Sequence, residues 1–402
     1  RKTRMLIKRM FFVSTLCTVI SGIFGSESSA EDPPKIEFVG KAVIPGDARD
    51  LSGDARILEN GEPRNRLGGF SALDYSGEGS LYAAMSDRGP DDGAVGYPCR
   101  VQMLEIQITP GANPAVSATA VKTVMFSDEK GRPFTGLSTA LKATADQAHR
   151  FDPEGFRFAA NGVFYVSDEY GPELLEFSPQ GQAIRRFRLP LCLMVANPDG
   201  AKLKENSSNK FGRASNRGME CLAISHDGTR LWGLMQGPLL QDGVRTPEGI
   251  VVGRNCRLVE CDLKTGQIRQ FVSQMYSELN GNSEIVAYGP DRYLVLERDS
   301  GAGEEAAWRK LVLIDVSKAT DIGDRETLPL ELPGDVVPVA QQEFLDFLDP
   351  RWKLAGREMP EKIEGLTFGP MLADGRRTLL VSTDNDFESD EPSQIWVFAI
   401  QN

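Results

Sequence analysis

The stretch FDPEGFRFAANGVFYVSDEYGP, Phe151 to Pro172, returns in altered form four more times along the 402-residue chain. The copies are GGFSALDYSGEGSLYAAMSDRGP from Gly69, ECLAISHDGTRLWGLMQGP from Glu220, EIVAYGPDRYLVLERDSG from Glu284 and EGLTFGPMLADGRRTLLVSTDND from Glu364. An internal repeat constrains a fold more tightly than composition does, because every copy must build the same supersecondary unit. In each copy apolar residues alternate with period two, as at Phe156 and Phe158 or Leu366 and Phe368. A Gly, Asn or Asp turn follows, and the chain returns as a second apolar run, which is the pattern of a β-hairpin. A further strand pair follows most copies, as in LLEFSPQGQAIRRFRL, CRLVECDLKTGQIRQFV and RVQMLEIQITP, so the unit is four antiparallel strands.

Radial repetition of four short strands predicts an all-β protein, a β-propeller of five blades. The irregular segments 128–150, 190–216 and 322–361 leave room for a sixth. The last copy ends with SQIWVFAI and lacks a fourth strand, whereas residues 36–44 (IEFVGKAVI) form a strand without a hairpin. Pairing the two would close the ring. Residues 341–356 (QQEFLDFLDPRWKLAG) are the best helix candidate, read as an insertion packed on one face.

The first strand of a propeller blade lines the central channel and the second runs antiparallel beside it, so the start of one and the end of the other share a face. Acids occupy both points. Glu154, Glu220, Glu284 and Glu364 open first strands; Asp87, Asp168, Glu169, Glu297, Asp384 and Asp386 close second strands. Any one of them is an ordinary turn-forming acid. Repetition is what gathers them at one mouth of the channel. Crowded carboxylates raise one another's pKa or bind a cation, and an all-oxygen set suits calcium or another hard divalent cation. The metal candidates are Asp87, Glu154, Asp168, Glu220, Glu284, Glu297, Glu364 and Asp384; Glu154, Glu169 and Glu284 are the candidate catalytic acids. Arg88, Arg217, Arg298 and Lys362 lie beside these acids in DRG, NRG, ERD and EKIEG, and Arg88, Arg298 and Lys362 are the candidate grips on an anionic substrate.

Histidine is too scarce for other common chemistries. Only His149 and His226 are present, and no GxSxG, Walker A or HExxH sequence occurs, which argues against a zinc site and a Ser-His-Asp hydrolase. The first thirty residues pair a basic start with an apolar run from Met10 to Phe24 and end in SESSA, as a cleaved secretory signal does. They carry net charge +4, so their loss takes the chain from −12 to −16. That charge disfavours nucleic acid and anionic membrane as partners. Residues 31–402 then form a single domain, periplasmic or secreted and without stable membrane insertion. Its five cysteines (Cys99, Cys192, Cys221, Cys256, Cys261) allow at most two disulfides and have no CxxC spacing.

DPEGF, YVSDEYGPELLEFSPQG, NRGMECLAISHDGTRLW with GPLLQDG, LERDSG, and KIEGLTF with STDNDF, in that order, resemble the bacterial phytase-like family described as having esterase-like activity of phytase. The resemblance runs from about Gly69 to Phe398. Cys221 stands where the family has Gly after Glu, and Gln236 where an acid ends the strand, so the third copy fits least well. The resemblance implies a β-propeller and a hydrolase of phosphoric or other esters. The expectation is a metal-assisted phosphoesterase acting on a small-molecule ester at the acidic mouth. A metal-dependent lactonase or sugar-ester hydrolase, or a non-catalytic ligand- or protein-binding propeller, would use the same mouth.

Overall fold

The computed structural model describes residues 34–111 and 114–401; the expected signal segment lies outside them. The repeats fold as five four-stranded antiparallel sheets. Blade 1 comprises Phe70–Tyr75, Leu81–Ser86, Arg100–Thr109 and Ala115–Met125. Blade 2 comprises Pro153–Phe158, Phe164–Asp168, Glu173–Phe177 and Ala183–Phe187. Blade 3 is built from Met219–Ile224, Arg230–Met235, Asn255–Asp262 and Ile268–Gln274, and blade 4 from Gly281–Gly289, Arg292–Arg298, Arg309–Asp315 and Ala340–Asp346. In blade 5, Lys362–Met371, Arg377–Asp384 and Ser393–Gln401 are joined on the outside by Lys35–Ile44. That strand pairs antiparallel with Ser393–Gln401, from Lys35 opposite Gln401 to Ile44 opposite Ser393, and ties the two ends of the chain together.

The first strands pack in sequence around the axis, blade 1 on 2, 2 on 3, 3 on 4, 4 on 5 and 5 back on 1, so the ring has five blades and no sixth. Each blade buries both faces, one against each neighbour, and this is why its strands are apolar almost throughout. In blade 3, Leu222 packs with Tyr165 and Leu174 of blade 2, while its neighbours Cys221 and Ala223 pack with Ile285 and Val295 of blade 4. Close approach of the first strands demands glycine at two points. A Cβ on Gly155 would lie 2.5 Å from the Cβ of Leu222, and one on Gly365 would lie 2.6 Å from the amide of Leu73.

The helix expected over 341–356 is instead the outer strand of blade 4, Ala340–Asp346, followed by turns. Phe344, Leu345, Phe347 and Leu348 satisfy helical spacing, but Leu345 pairs opposite Leu311 and Phe347 inserts between blades 4 and 5. An outer strand is paired on one side only and keeps one exposed face, which blurs its period. Helix among the described residues is confined to short pieces, the longest being Lys202–Ser208. Cys99, Cys192, Cys221, Cys256 and Cys261 are all free thiols.

Candidate functional site

The mouth takes its geometry from an irregularity present in every blade. Pairing between first and second strands slips between Phe70 and Ala72, Pro153 and Phe156, Met219 and Cys221, Asn282 and Glu284, and Ile363 and Leu366. A bulge re-aims the side chain it frees from the ladder. Glu154, Glu220 and Glu364 are the freed residues in blades 2, 3 and 5, and Ser71 in blade 1. In blade 4 the freed residue is Ser283, and Glu284 stays paired, opposite Leu296. One residue of slip therefore sets Glu284 apart from the glutamates with which it aligns.

Asp152, Glu154 and Glu169 come together. All three are buried, and one carboxylate oxygen from each lies within 4.8 Å of the others. Arg88 bridges two of them. Its Nη1 donates to Asp152 and, at 2.9 Å, to Glu169; its amide donates to Asp152 Oδ1 at 3.0 Å, Nε to Asp92 at 2.9 Å and Nη2 to Asn216 Oδ1 at 2.6 Å. Glu169 also accepts the amide of Gly218 at 3.1 Å. The carboxylate of Glu154 meets no hydrogen-bond donor among the described residues. Burial, then Glu220, Asp152 and Glu169, push its pKa well above the usual carboxylate range.

Glu220 and Glu364 extend this cluster. Glu220 Oε1 accepts from Gln236 Nε2 at 2.5 Å, and its Oε2 is buried without a partner. Burial, then Glu169 and Glu364, raise its pKa strongly, against the opposing charge of Arg298. Arg298 donates to Glu364 at 2.6 Å and to Ser283 Oγ at 3.0 Å. On the blade 5 side Lys362 donates to Asp384 at 2.8 Å and to Asp386. Asp87, nearby, is raised by burial and by Asp384, and Asp386 is pushed up to about 6 by the same two causes.

Three expected site residues serve the backbone. Asp168 accepts the amides of Asp152 at 2.8 Å, Tyr170 at 3.2 Å and Gly171 at 2.6 Å, and burial pushes its pKa up to about 6 against those bonds. Glu297 receives the amide of Tyr276 at 3.0 Å and the side-chain amide of Asn280, and so fixes the 276–280 loop. Glu284 lies within the ring, accepting the amides of Leu222 at 3.0 Å and Ile285 at 2.9 Å, with Oε2 3.1 Å from Arg157 Nη2. Burial lifts it to about 8 in spite of these partners.

Arg157 had no place among the candidates, although a cation in the middle of a buried strand (Phe156, Arg157, Phe158) was its signal. Its guanidinium donates to the carbonyls of Phe156 at 2.6 Å, Ile285 at 2.6 Å, Leu366 at 3.2 Å and Leu73 at 3.3 Å. It thereby ties together the first strands of blades 2, 4, 5 and 1. Asp152 carries no repeat signal, for another reason. Its counterparts two places before each repeated position are Gly69, Gly218, Asn282 and Lys362, so no repetition marks it.

The fold and its mouth thus define a five-bladed propeller with a buried, carboxylate-rich, arginine-bridged entrance. The chain belongs to the phytase-like family, "Esterase-like activity of phytase", whose description matches residues 65–387. An uncharacterized secreted protein of Arthroderma benhamiae is 25% identical over 365 residues, covering 71% of this chain and 68% of that protein. Among solved structures, a GH43 β-1,3-galactosidase with galactodeoxynojirimycin aligns over 86% of this chain and 93% of its own at 11% identity and TM-score 0.40. The exo-β-1,3-galactanase of Phanerochaete chrysosporium aligns over 89% and 63% at 10% identity and TM-score 0.43. Neither of these two likenesses bears on the chemistry of the site. No helix among the described residues is long and apolar enough to cross a membrane.

Proposed function

We propose that this protein is an exported hydrolase that cleaves a small ester, a phosphate ester first among candidates, at the acidic mouth with a divalent cation held by Asp152, Glu154 and Glu169. The observation that carries this reading is Glu154: a buried carboxylate with no donor among the described residues, beside two others whose oxygens lie within 4.8 Å. Buried acids without donors are costly unless protonated or bound to a cation. The donor set is all oxygen, which fits calcium or magnesium, and His149 faces Glu173 at 3.5 Å and contributes nothing here. When bound, such an ion polarises the ester and favours ionisation of water.

The rest falls to the protein's own groups. Hydrolysis joins the oxygen of water to the phosphorus or acyl carbon and breaks the bond to the alcohol oxygen, which leaves with a proton. Glu220 stands beside Glu154 with Oε2 unpartnered; a bound cation would offset the burial and like charges that favour its protonated form, and Glu220 then takes the proton from water and gives it to the departing alcohol oxygen. Arg88 keeps Asp152 and Glu169 together, and Arg157 binds the first strands of four blades to one another. Export to the periplasm or medium is supported by the sequence of residues 1–30 and by the relative's description as secreted. The test is a panel of phytate, para-nitrophenyl phosphate, para-nitrophenyl acetate and a lactone, each with calcium and with chelator. Chelator-sensitive turnover of an ester supports the proposal; no turnover of any, with calcium, magnesium or manganese, rejects it.

A further inference from the structure

The cations at the mouth differ in what they have left to offer. Arg88 donates to Asp92, Asp152, Glu169 and Asn216, Arg298 is paired with Glu364, and Lys362 with Asp384 and Asp386. Arg217 alone among them forms no ion pair among the described residues. Its one hydrogen bond from the guanidinium runs from Nη1 to the carbonyl of Asn280 at 3.3 Å, the weak end of the range. Yet its backbone is held in place from both sides. Asn216, in the left-handed region at φ 57°, accepts from Arg88 at 2.6 Å, and Gly218 donates to Glu169 at 3.1 Å. A Cβ on Gly218 would lie 2.8 Å from the Cα of Glu169, so only glycine lets the segment press this closely on the triad. At the neighbouring edge of blade 3, a Cβ on Gly237 would stand 2.9 Å from Arg217 Cδ, so the missing side chain there leaves the arginine its space.

Asn216 and Gly218 thus hold the half-buried guanidinium of Arg217 near Cys256, Glu220 and Glu169 with most of its N–H donors unassigned. We propose that Arg217 binds the charged group of the substrate through paired N–H···O bonds, so that the site selects esters carrying an oxyanion, phosphate monoesters foremost, over neutral ones. The inference rests on the mouth being the site of ester hydrolysis. It also accounts for how an acidic entrance admits an anion: the three ion-paired cations offset the acids, and the unpaired one faces the ligand. Burial lowers the pKa of Arg217 and outweighs the raising effect of Cys256, Glu220 and Glu169, none of which forms an ion pair with it among the described residues.

The test uses the full mature chain with calcium and inorganic phosphate as the probe. Titration calorimetry on wild type, Arg217→Gln and Arg217→Lys reads phosphate affinity directly, and steady-state kinetics compare para-nitrophenyl phosphate with para-nitrophenyl acetate. Loss of a paired, charge-assisted contact predicts a fall of about 10- to 100-fold in phosphate affinity for Arg217→Gln, with partial recovery in Arg217→Lys. The matching kinetic change is a higher KM for the phosphate ester and little change for the acetate. Equal phosphate affinity in wild type and Arg217→Gln overturns the proposal, as does an equal loss on both esters, which marks a structural role. If no ester is turned over, the function proposed above fails, and calorimetry still decides the role of Arg217.

Discussion

Glu284→Gln separates a structural carboxylate from a catalytic one. Glu284 is buried against Arg157 at 3.1 Å, and burial outweighs that ion pair and two amide bonds, lifting its pKa from 4.5 to about 8. Such a group binds its proton more tightly in the fold than in the unfolded chain. Its contribution to stability is therefore complete below pH 4.5 and disappears as pH rises through 8. At 1.36 kcal/mol per unit, the whole shift corresponds to about 5 kcal/mol. Glutamine copies the protonated side chain and does not titrate. In urea denaturation of chelated protein, the variant should match wild type to within about 1 kcal/mol at pH 5 and exceed it by a few kcal/mol at pH 9. Glu154 and Glu220 titrate in both proteins, so their effects cancel in the difference. Turnover should stay within a few-fold of wild type. A difference that is flat with pH, or in favour of wild type at pH 9, would show that the ionised Arg157–Glu284 pair is net stabilising and would refute the reasoning. A 100-fold loss of turnover in a folded variant would restore Glu284 to the catalytic set.

Glu154→Gln should cut turnover about 100-fold or more while the fold survives, and Glu176→Gln, in a pair with Arg185 at 4.0 Å outside the mouth, should change little; kcat on the ester panel checks both. Calcium at about 100 times its dissociation constant should stabilise the chelated protein by about 2.7 kcal/mol, seen as a higher unfolding temperature, and the shift should vanish in Glu154→Gln. Deleting residues 34–44 should strip the outer edge of Ser393–Gln401 and expose its backbone groups, so the truncated protein should aggregate or unfold at lower temperature, read by size exclusion and thermal melting.

The blades were legible because hairpins are local: a period of two and a Gly-rich turn lie within about twenty residues, and repetition multiplies the signal. Ring closure by residues 36–44 could be inferred because one hairpin lacked a strand and one strand lacked a hairpin, and the strand observed is Lys35–Ile44. Counting the copies points to five blades, and the packing of the first strands removes the sixth that loops such as 128–150 are long enough to hide. The site was half visible. Repetition marks Glu154, Glu220 and Glu364, and the structure gathers them. It is silent on Asp152, which has no counterpart, and misleading on Glu284, where the bulge falls one residue earlier. It also treats Asp168 and Glu169 alike, although the first caps a turn and the second reaches Arg88.

A symmetric ring of glutamates would be a poor site, since like charges at equal spacing raise every pKa together. The repeat avoids this by giving equivalent positions different partners. Ser71 removes the charge in blade 1, Arg298 pairs with Glu364 in blade 5, Gln236 binds one oxygen of Glu220 in blade 3, and the slip in blade 4 turns Glu284 onto Arg157. Among the described residues, only the glutamate of blade 2 is left without a donor, and there Asp152 and Glu169 stand beside it. The asymmetry on which the proposed chemistry rests thus arises from substitutions at equivalent points of a symmetric scaffold. A variant that restores symmetry should lose the site without losing the fold. Asp152→Gly, which gives blade 2 the residue found at the same point in blades 1 and 3, frees Arg88 from two contacts and removes one of the three clustered carboxylates. The expected result is loss of the calcium-dependent rise in unfolding temperature and of chelator-sensitive turnover, with an unchanged far-ultraviolet circular dichroism spectrum. Retained calcium binding would place the cation elsewhere in the mouth, nearest Asp87 and Asp384.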